Sequence, residues 1–289
     1  MPEMPEVEAL TRFLTQRAGG RTVQRAELAA FAALKTFDPG LGALVGRTVA
    51  TVGRRGKFLV FDLSGPGPLF LVVHLARGGW VRWSDPLPAK PARPGKGPLA
   101  LRIGFEGGAG FDITEAGTEK RLAAHVVRDP DDVEGIARLG PDALDPAFDA
   151  TALAAALAAH GGQVKAALVS QSTVAGVGNA YSDEALHVAR LSPFKGAAKL
   201  TPDEAARLHA AVVQVLGDAL ARSTGRPAAE LKDQKRAGMR VHGRAGLPCP
   251  ACGDTVREVS FATRALQYCA TCQTGGKPLA DRRLSRLLK

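Results

Sequence analysis

From Pro5 to Ala18 the chain reads PEVEALTRFLTQRA, and Val7, Leu10, Phe13, Leu14 and Ala18 recur with a helical period. The pattern predicts one amphipathic helix, with Pro5 suited to its first position and Gly19-Gly20 to its stop. The period then changes. RTVATVGRRGKFLVFDLSG, GPLFLVVHLARGGWVRW and LALRIGFEGGAGFDIT alternate, or run in short apolar bursts between glycine turns, which predicts strands and hairpins. KPARPGKGP, residues 90–98, has the composition of an exposed connection, and VRDPDDVEGIARLGPDALDPAF that of a proline-punctuated linker. Beyond it, TALAAALAAH, QVKAALVS and PDEAARLHAAVVQVLGDALARS return to the helical period. The last of these has a marked start: Thr201 as N-cap, Pro202 at the first position and Glu204 completing a capping box.

These elements predict an α+β multidomain protein. Its expected parts are an N-terminal helix with an antiparallel β domain over residues 1–125, a linker over 126–150, a helical module over 151–238, a cysteine module over 239–275 and a basic tail over 276–289. The tail, KPLADRRLSRLLK, reads either as a basic amphipathic helix or as a disordered basic end. A length of 289 residues has room for two domains, and 45% hydrophobic content supplies a core. No apolar run approaches the roughly 20 residues of a membrane span, and the start lacks the pattern of a secretory signal. The expectation is a cytoplasmic protein with no membrane partner. The net charge of +10 adds a preference for polyanions and says little about fold.

All four cysteines lie in two C-x2-C pairs, CPAC and CATC, with residues 253–268 between them. Two such knuckles on a short hairpin present four thiolates to one tetrahedral zinc ion. A redox pair would need only one of them. Cys249, Cys252, Cys269 and Cys272 are therefore the expected ligands of one structural Zn2+ per chain. His242 is the one histidine near this module in sequence and reads as a packing or surface residue. Arg264, in TRALQY between the knuckles, reads as either a solvated arginine or a phosphate contact. In SQSTVAGVGNAYSDEAL, Gly176 and Gly178 allow close backbone approach, and Asn179 falls at a helix N-terminus. Asn179 there is either an ordinary cap or part of an anion site, with Lys165 of QVKAAL nearby.

Several motifs together carry a resemblance. PE-x-PEVE at the start, RRGK ending at Lys57, LGPDAL, K-x5-Q-x3-AGVGNAYSDEAL and VHGRAGLPCPACG…YCATCQ span nearly the whole chain. In their order they resemble the formamidopyrimidine-DNA glycosylase and endonuclease VIII family of base-excision repair enzymes. The resemblance implies an N-terminal β-sandwich, then a helix–two-turn–helix domain with a hairpin zinc finger, clasping duplex DNA that carries an oxidised base or an abasic site. It also implies a monomer that excises the base and then cleaves the abasic strand. Carried onto this chain, the nucleophile is the Pro2 amine after removal of Met1, and Glu3 is the carboxylate beside it. Glu6 matches a buried active-site carboxylate, Lys57 a lysine reaching the damaged nucleotide's phosphate, and Asn179 and Arg264 further phosphate contacts.

The chemistry of these residue types suits the assignment. An α-amino group titrates at roughly 7.7–8.0, so a fraction is neutral and nucleophilic near neutral pH. A following helix N-terminus favours the neutral amine further, and Glu3 can move protons at the sugar. The chain also departs from the family's purine-type pattern. HLARGGW places Arg77 where those members have a lesion-extruding methionine, and FDITEAGTEKRLAAH lacks their Arg-Phe pair. Arg77 is the expected filler of the vacated base stack. This context leans toward the endonuclease VIII type, which favours oxidised pyrimidines. The competing class is a zinc-finger DNA-binding paralogue without catalysis.

Overall fold

The computed structural model describes residues 2–95, 97–261 and 264–280. Met1 and residues 281–289, which include most of the basic tail, lie outside them. The chain divides into two compact units, Met1–Arg138 with Ser223–Lys232, and Leu139–Arg222 with Asp233–Lys289.

The first unit opens with α1 (Met4–Ala18), followed by β1 (Val23–Leu28), β2 (Thr48–Arg55), β3 (Phe58–Ser64) and β4 (Phe70–His74). Then come β5 (Gly79–Ser84), β6 (Leu99–Phe105), β7 (Gly110–Glu115), β8 (Ala123–Val127) and the short α2 (Glu134–Ala137). Two four-stranded antiparallel sheets, ordered β1-β6-β7-β5 and β2-β3-β4-β8, enclose one core. The alternation in FLVFDLS explains why: Leu59, Phe61 and Leu63 point inward, while the residues between them stay part-exposed. Phe61 of one sheet stacks on Phe111 of the other at 5.3 Å between ring centroids. Helix α1 lays Val7, Leu10, Leu14 and Ala18 onto this core, each fully buried. Truncating Leu10 to alanine would cost about 2–5 kcal/mol. The helix begins one residue before the sequence pattern indicates. Glu3 is its N-cap, so Pro5 occupies the second helical position rather than the first.

The second unit is helical before it becomes a hairpin. Its elements are α3 (Ala150–His160), α4 (Val164–Val169), α5 (Asn179–Val188), α6 (Pro202–Ser223) and α7 (Leu231–Ala237), whose first two residues count with the first unit. The hairpin of β9 (Val256–Ser260) and β10 (Ala265–Cys269) and the single turn α8 (Ala270–Thr274) complete it. Asp149 caps α3 by accepting from the Ala152 N–H at 2.8 Å. The capping box at α6 is present as read: Thr201 Oγ1 accepts from Glu204 N at 3.3 Å, and Glu204 Oε2 accepts from Thr201 N at 2.9 Å. Among the described residues, no helix is long and apolar enough to cross a membrane.

Candidate active site and phosphate sites

Carboxylates at a helix start are usually solvated caps. Here they are not. Pro2, Glu3 and Glu6 are all buried, with Glu3 2% and Glu6 1% exposed. Glu3 and Glu6 form a reciprocal capping box in which Glu3 N donates to Glu6 Oε2 at 2.8 Å. Two acids are thus held in a dry setting at the positive end of α1, immediately after Pro2.

Lys57 sits in the two-residue turn between β2 and β3, just past the last cross-strand pair Arg55–Phe58. Gly56 precedes it at φ +53°, the positive value that a tight hairpin of this hand requires. Arg54 fixes this turn relative to α1. Its Nε donates to Glu8 Oε2 at 3.2 Å and its Nη1 to the Gly56 carbonyl at 2.9 Å. Lys57 is itself 6% exposed. His74, at the end of β4, pairs across the sheet with Phe58 and packs its ring on that phenyl at 4.8 Å. Burial, then the charges of Lys57 and His125, hold its pKa down at about 4. A neutral imidazole therefore stands beside the lysine. His74 escaped the sequence reading because a histidine ending an apolar strand gives no chemical signal.

Arg77 rides on a turn with little freedom. Gly79 N donates to the Leu75 carbonyl at 2.8 Å, and Ala116 N to the Gly78 carbonyl at 3.1 Å. Ala76 adopts φ +49°. A Cβ at Gly78 would fall 2.1 Å from Ala116 O, and one at Gly79 would fall 2.0 Å from Leu75 O. The Arg77 side chain is exposed at the tip.

In the second unit, Lys165, Asn179 and Arg264 line one pocket together with Gln163 and Phe261. Their roles separate. Asn179 is not the cap of α5, since Gly178 holds that place and Asn179 is the first helical residue. Its Nδ2 donates to the Ala265 carbonyl at 2.8 Å, tying the start of α5 to β10. Arg264 is exposed, and its carbonyl accepts from Phe261 N at 2.7 Å across the hairpin end. Lys165 is buried: its Nζ donates to Asp183 Oδ1 at 2.5 Å, Ser182 Oγ at 2.8 Å and the Asn179 carbonyl at 3.2 Å. These bonds brace the start of α5 from helix α4. Gln171 is a second brace that the sequence reading missed. Its amide bonds the carbonyls of Val169 and Val177 and the N–H of Gly176, closing the glycine-rich loop on itself.

The cysteine module leans on the same helix. Glu184 accepts the backbone N–H groups of Arg240, Val241 and His242 at 2.7–2.9 Å. Its burial raises its pKa, and those three N–H groups work against the rise. His242, read from the sequence as a packing or surface residue, is half-buried and makes a specific bond: Nδ1 lies 2.7 Å from Asp183 Oδ2, on the carboxylate that also holds Lys165.

The sulfur atoms of Cys249, Cys252, Cys269 and Cys272 lie within 4.8 Å of one another, with Cys249–Cys272 at 3.9 Å and Cys252–Cys269 at 3.4 Å. A tetrahedron of Zn–S bonds near 2.3 Å places its sulfurs about 3.8 Å apart. The four thiols thus fit one structural Zn2+ with no position left over. His187 places Nε2 3.2 Å from Cys249 Sγ, where its N–H can orient that sulfur. Burial, then the charges of Arg240 and Arg190, lower the pKa of this imidazole. It lies 62 residues from Cys249 in sequence, too far for spacing to suggest it.

Three matches to known domain families cover the chain in order: formamidopyrimidine-DNA glycosylase N-terminal domain over residues 1–123, formamidopyrimidine-DNA glycosylase H2TH domain over 139–228, and the zinc finger found in FPG and IleRS over 246–275. An uncharacterized formamidopyrimidine-DNA glycosylase-like protein of Mycobacterium tuberculosis is 60% identical over 52% of this chain and 94% of its own length. The formamidopyrimidine-DNA glycosylase of Symbiobacterium thermophilum is 36% identical over 94% of this chain and 89% of its own. The crystal structure of the MutM (Fpg) protein of Thermus thermophilus superposes with a TM-score of 0.79 at 33% identity, covering 96% of this chain and all of that one. The domain order and the four-thiol site place the chain among zinc-finger DNA-repair glycosylases. Within that class it belongs to the formamidopyrimidine-DNA glycosylase family.

Proposed function

We propose that this chain is a bifunctional DNA glycosylase and abasic-site lyase whose nucleophile is the amine of Pro2, exposed by removal of Met1. One observation carries the reading: Glu3 and Glu6 are buried and mutually bonded in the first turn that follows Pro2. A helix cap alone would leave these acids in solvent.

In this reading the neutral Pro2 nitrogen attacks C1′ of the damaged nucleotide. The N–C1′ bond forms, the glycosidic bond breaks, and the base leaves with the bonding pair and the proton released from the Pro2 N–H. Glu3 protonates the ring oxygen as the sugar opens, and the product is an iminium with a fixed positive charge. That charge acidifies C2′–H, and loss of the proton expels the 3′ phosphate. A second elimination expels the 5′ phosphate, and water then releases the amine. Glu6 holds the backbone beside Glu3. Lys57, with neutral His74 beside it, engages the phosphate of the damaged nucleotide. Asn179 and Arg264 hold backbone phosphates, and Lys165 keeps the start of α5 in place. Arg77 enters the stack that the base leaves. The substrate in this reading is duplex DNA with an oxidised base or an abasic site.

Borohydride trapping on abasic DNA tests the proposal, with loss of Met1 verified by mass. A covalent adduct that disappears in Pro2→Thr supports the iminium. No adduct from processed protein that still binds the DNA would defeat the enzyme reading in favour of a binding paralogue.

A further inference from the structure

The far end of α1 borders a cavity unrelated to the acids at its start. Its volume is about 630 Å3, and Phe13, Arg17, Trp80, Arg82, Trp83 and Lys232 line it, all within the first unit. Phe13 and Arg17 lie about 15 and 21 Å along the helix from Glu3, at a rise of about 1.5 Å per residue. The size falls within the range of ligand pockets. Its chemistry is two-part: an aromatic wall under a cationic rim, with no acidic residue among those described as lining it.

The rings of that wall are already dressed. Lys232 Nζ lies 4.6 Å from the centroid of Trp80, whose Nε1 donates to the Ala228 carbonyl at 3.0 Å. The Arg17 guanidinium lies 5.8 Å from the Phe13 centroid. Trp83 stacks on Phe105 at 5.9 Å and carries Arg21 at 6.0 Å. Single-stranded nucleic acid binds along an open groove with successive stacking platforms, whereas these rings line one concave cavity. A duplex backbone is too stiff and too broad to enter a concave space of this size. A peptide side chain is neither.

We infer that this cavity docks an acidic peptide segment of a partner protein, one that carries an aliphatic or aromatic anchor. The anchor lies against the Trp80–Trp83 wall, and flanking carboxylates pair with Arg17, Arg82 and Lys232. Charge complementarity selects such a partner and steers its approach, and an aromatic floor with a polar rim is the usual build of a protein contact. The inference is independent of the lyase chemistry, because the cavity sits at the opposite end of α1.

Trp80 and Trp83 are the only two tryptophans of the chain, so intrinsic emission reports on this cavity directly. The probe is the capped peptide Asp-Glu-Asp-Glu-Leu-Phe, titrated into the full chain at low salt. A saturable change in emission is expected, lost when the acids are replaced by amides or the Leu-Phe pair by alanines. Arg17→Ala with Arg82→Glu, both exposed and outside the catalytic set, should weaken binding about tenfold or more. The same variant should keep its melting temperature and its activity on abasic DNA. No emission change up to about 1 mM peptide, binding indifferent to that variant, or a single-stranded oligonucleotide outcompeting the peptide would each overturn the inference.

Discussion

Acidification to pH 5 is expected to weaken the first unit through His74, and the size of the loss follows from its surroundings. The imidazole has an ordinary value of 6.5 and is held at about 4 by burial and by Lys57. The folded state therefore binds this proton less tightly than the unfolded chain does. Stability contributed by the neutral ring is complete above 6.5 and is lost as the pH falls toward 4. The full separation corresponds to about 3 kcal/mol, and the part lost between pH 7.5 and pH 5 to about 2 kcal/mol. His125 is shifted the same way by burial and Lys35, so the wild-type slope contains both histidines. Comparison with His74→Gln separates them. The variant gives up the packing on Phe58 and is less stable at every pH, but its acid slope should be shallower by about 2 kcal/mol over that interval. Urea unfolding followed by Trp80 and Trp83 emission reads this unit, since both tryptophans belong to it. Parallel curves for wild type and variant, offset by a constant, would show that His74 does not titrate between these limits and would refute the reasoning.

Three further outcomes are expected. Gly78→Ala must displace the Ala116 backbone, which a Cβ would approach to 2.1 Å, so it should cost about 1–3 kcal/mol in thermal unfolding; an unchanged melting temperature would mean that the Arg77 turn is softer than it looks. Glu184→Ala leaves the N–H groups of Arg240, Val241 and His242 without their acceptor, at about 1–3 kcal/mol for each group left buried and unpaired. Zinc release to a colorimetric chelator should quicken accordingly, and a wild-type release rate would separate this brace from the zinc site. Arg77→Ala should reduce excision from duplex DNA more than from single strands, because only the duplex has a stack to refill; equal losses on both substrates would remove Arg77 from that role.

What was legible in the sequence depended on distance along the chain. The α1 face, the β3 alternation, the Thr201–Glu204 box and the paired cysteines are all local patterns, and periodicity or spacing states them outright. The braces are not local. Lys165 meets Asp183 across 18 residues, His242 meets Asp183 across 59, and His187 reaches Cys249 across 62. Nothing in the spacing of those residues tells a buried ion pair from a solvated charge, so neither bond to Asp183 could be read from it. The same blindness hid the cavity at the end of α1: Phe13, Trp80 and Lys232 come from three distant stretches, and each alone reads as an ordinary core or surface residue.

Asp183 shows how much one such unread contact can organise. Its two oxygens take Lys165 Nζ on one side and His242 Nδ1 with Gln267 N on the other. Helix α4, helix α5 and the strand that leads into Cys269 therefore share a single carboxylate, 1% exposed. Asn179 adds a fourth tie from the same helix to Ala265, next to Arg264. Asn179 and Arg264 sit on separate elements 85 residues apart, yet the phosphate site proposed for them would need their donors fixed to within about 0.5 Å. The buried carboxylate supplies that fixity. Its loss should therefore loosen the pocket of Asn179 and Arg264 even though Asp183 is not among the residues that line it.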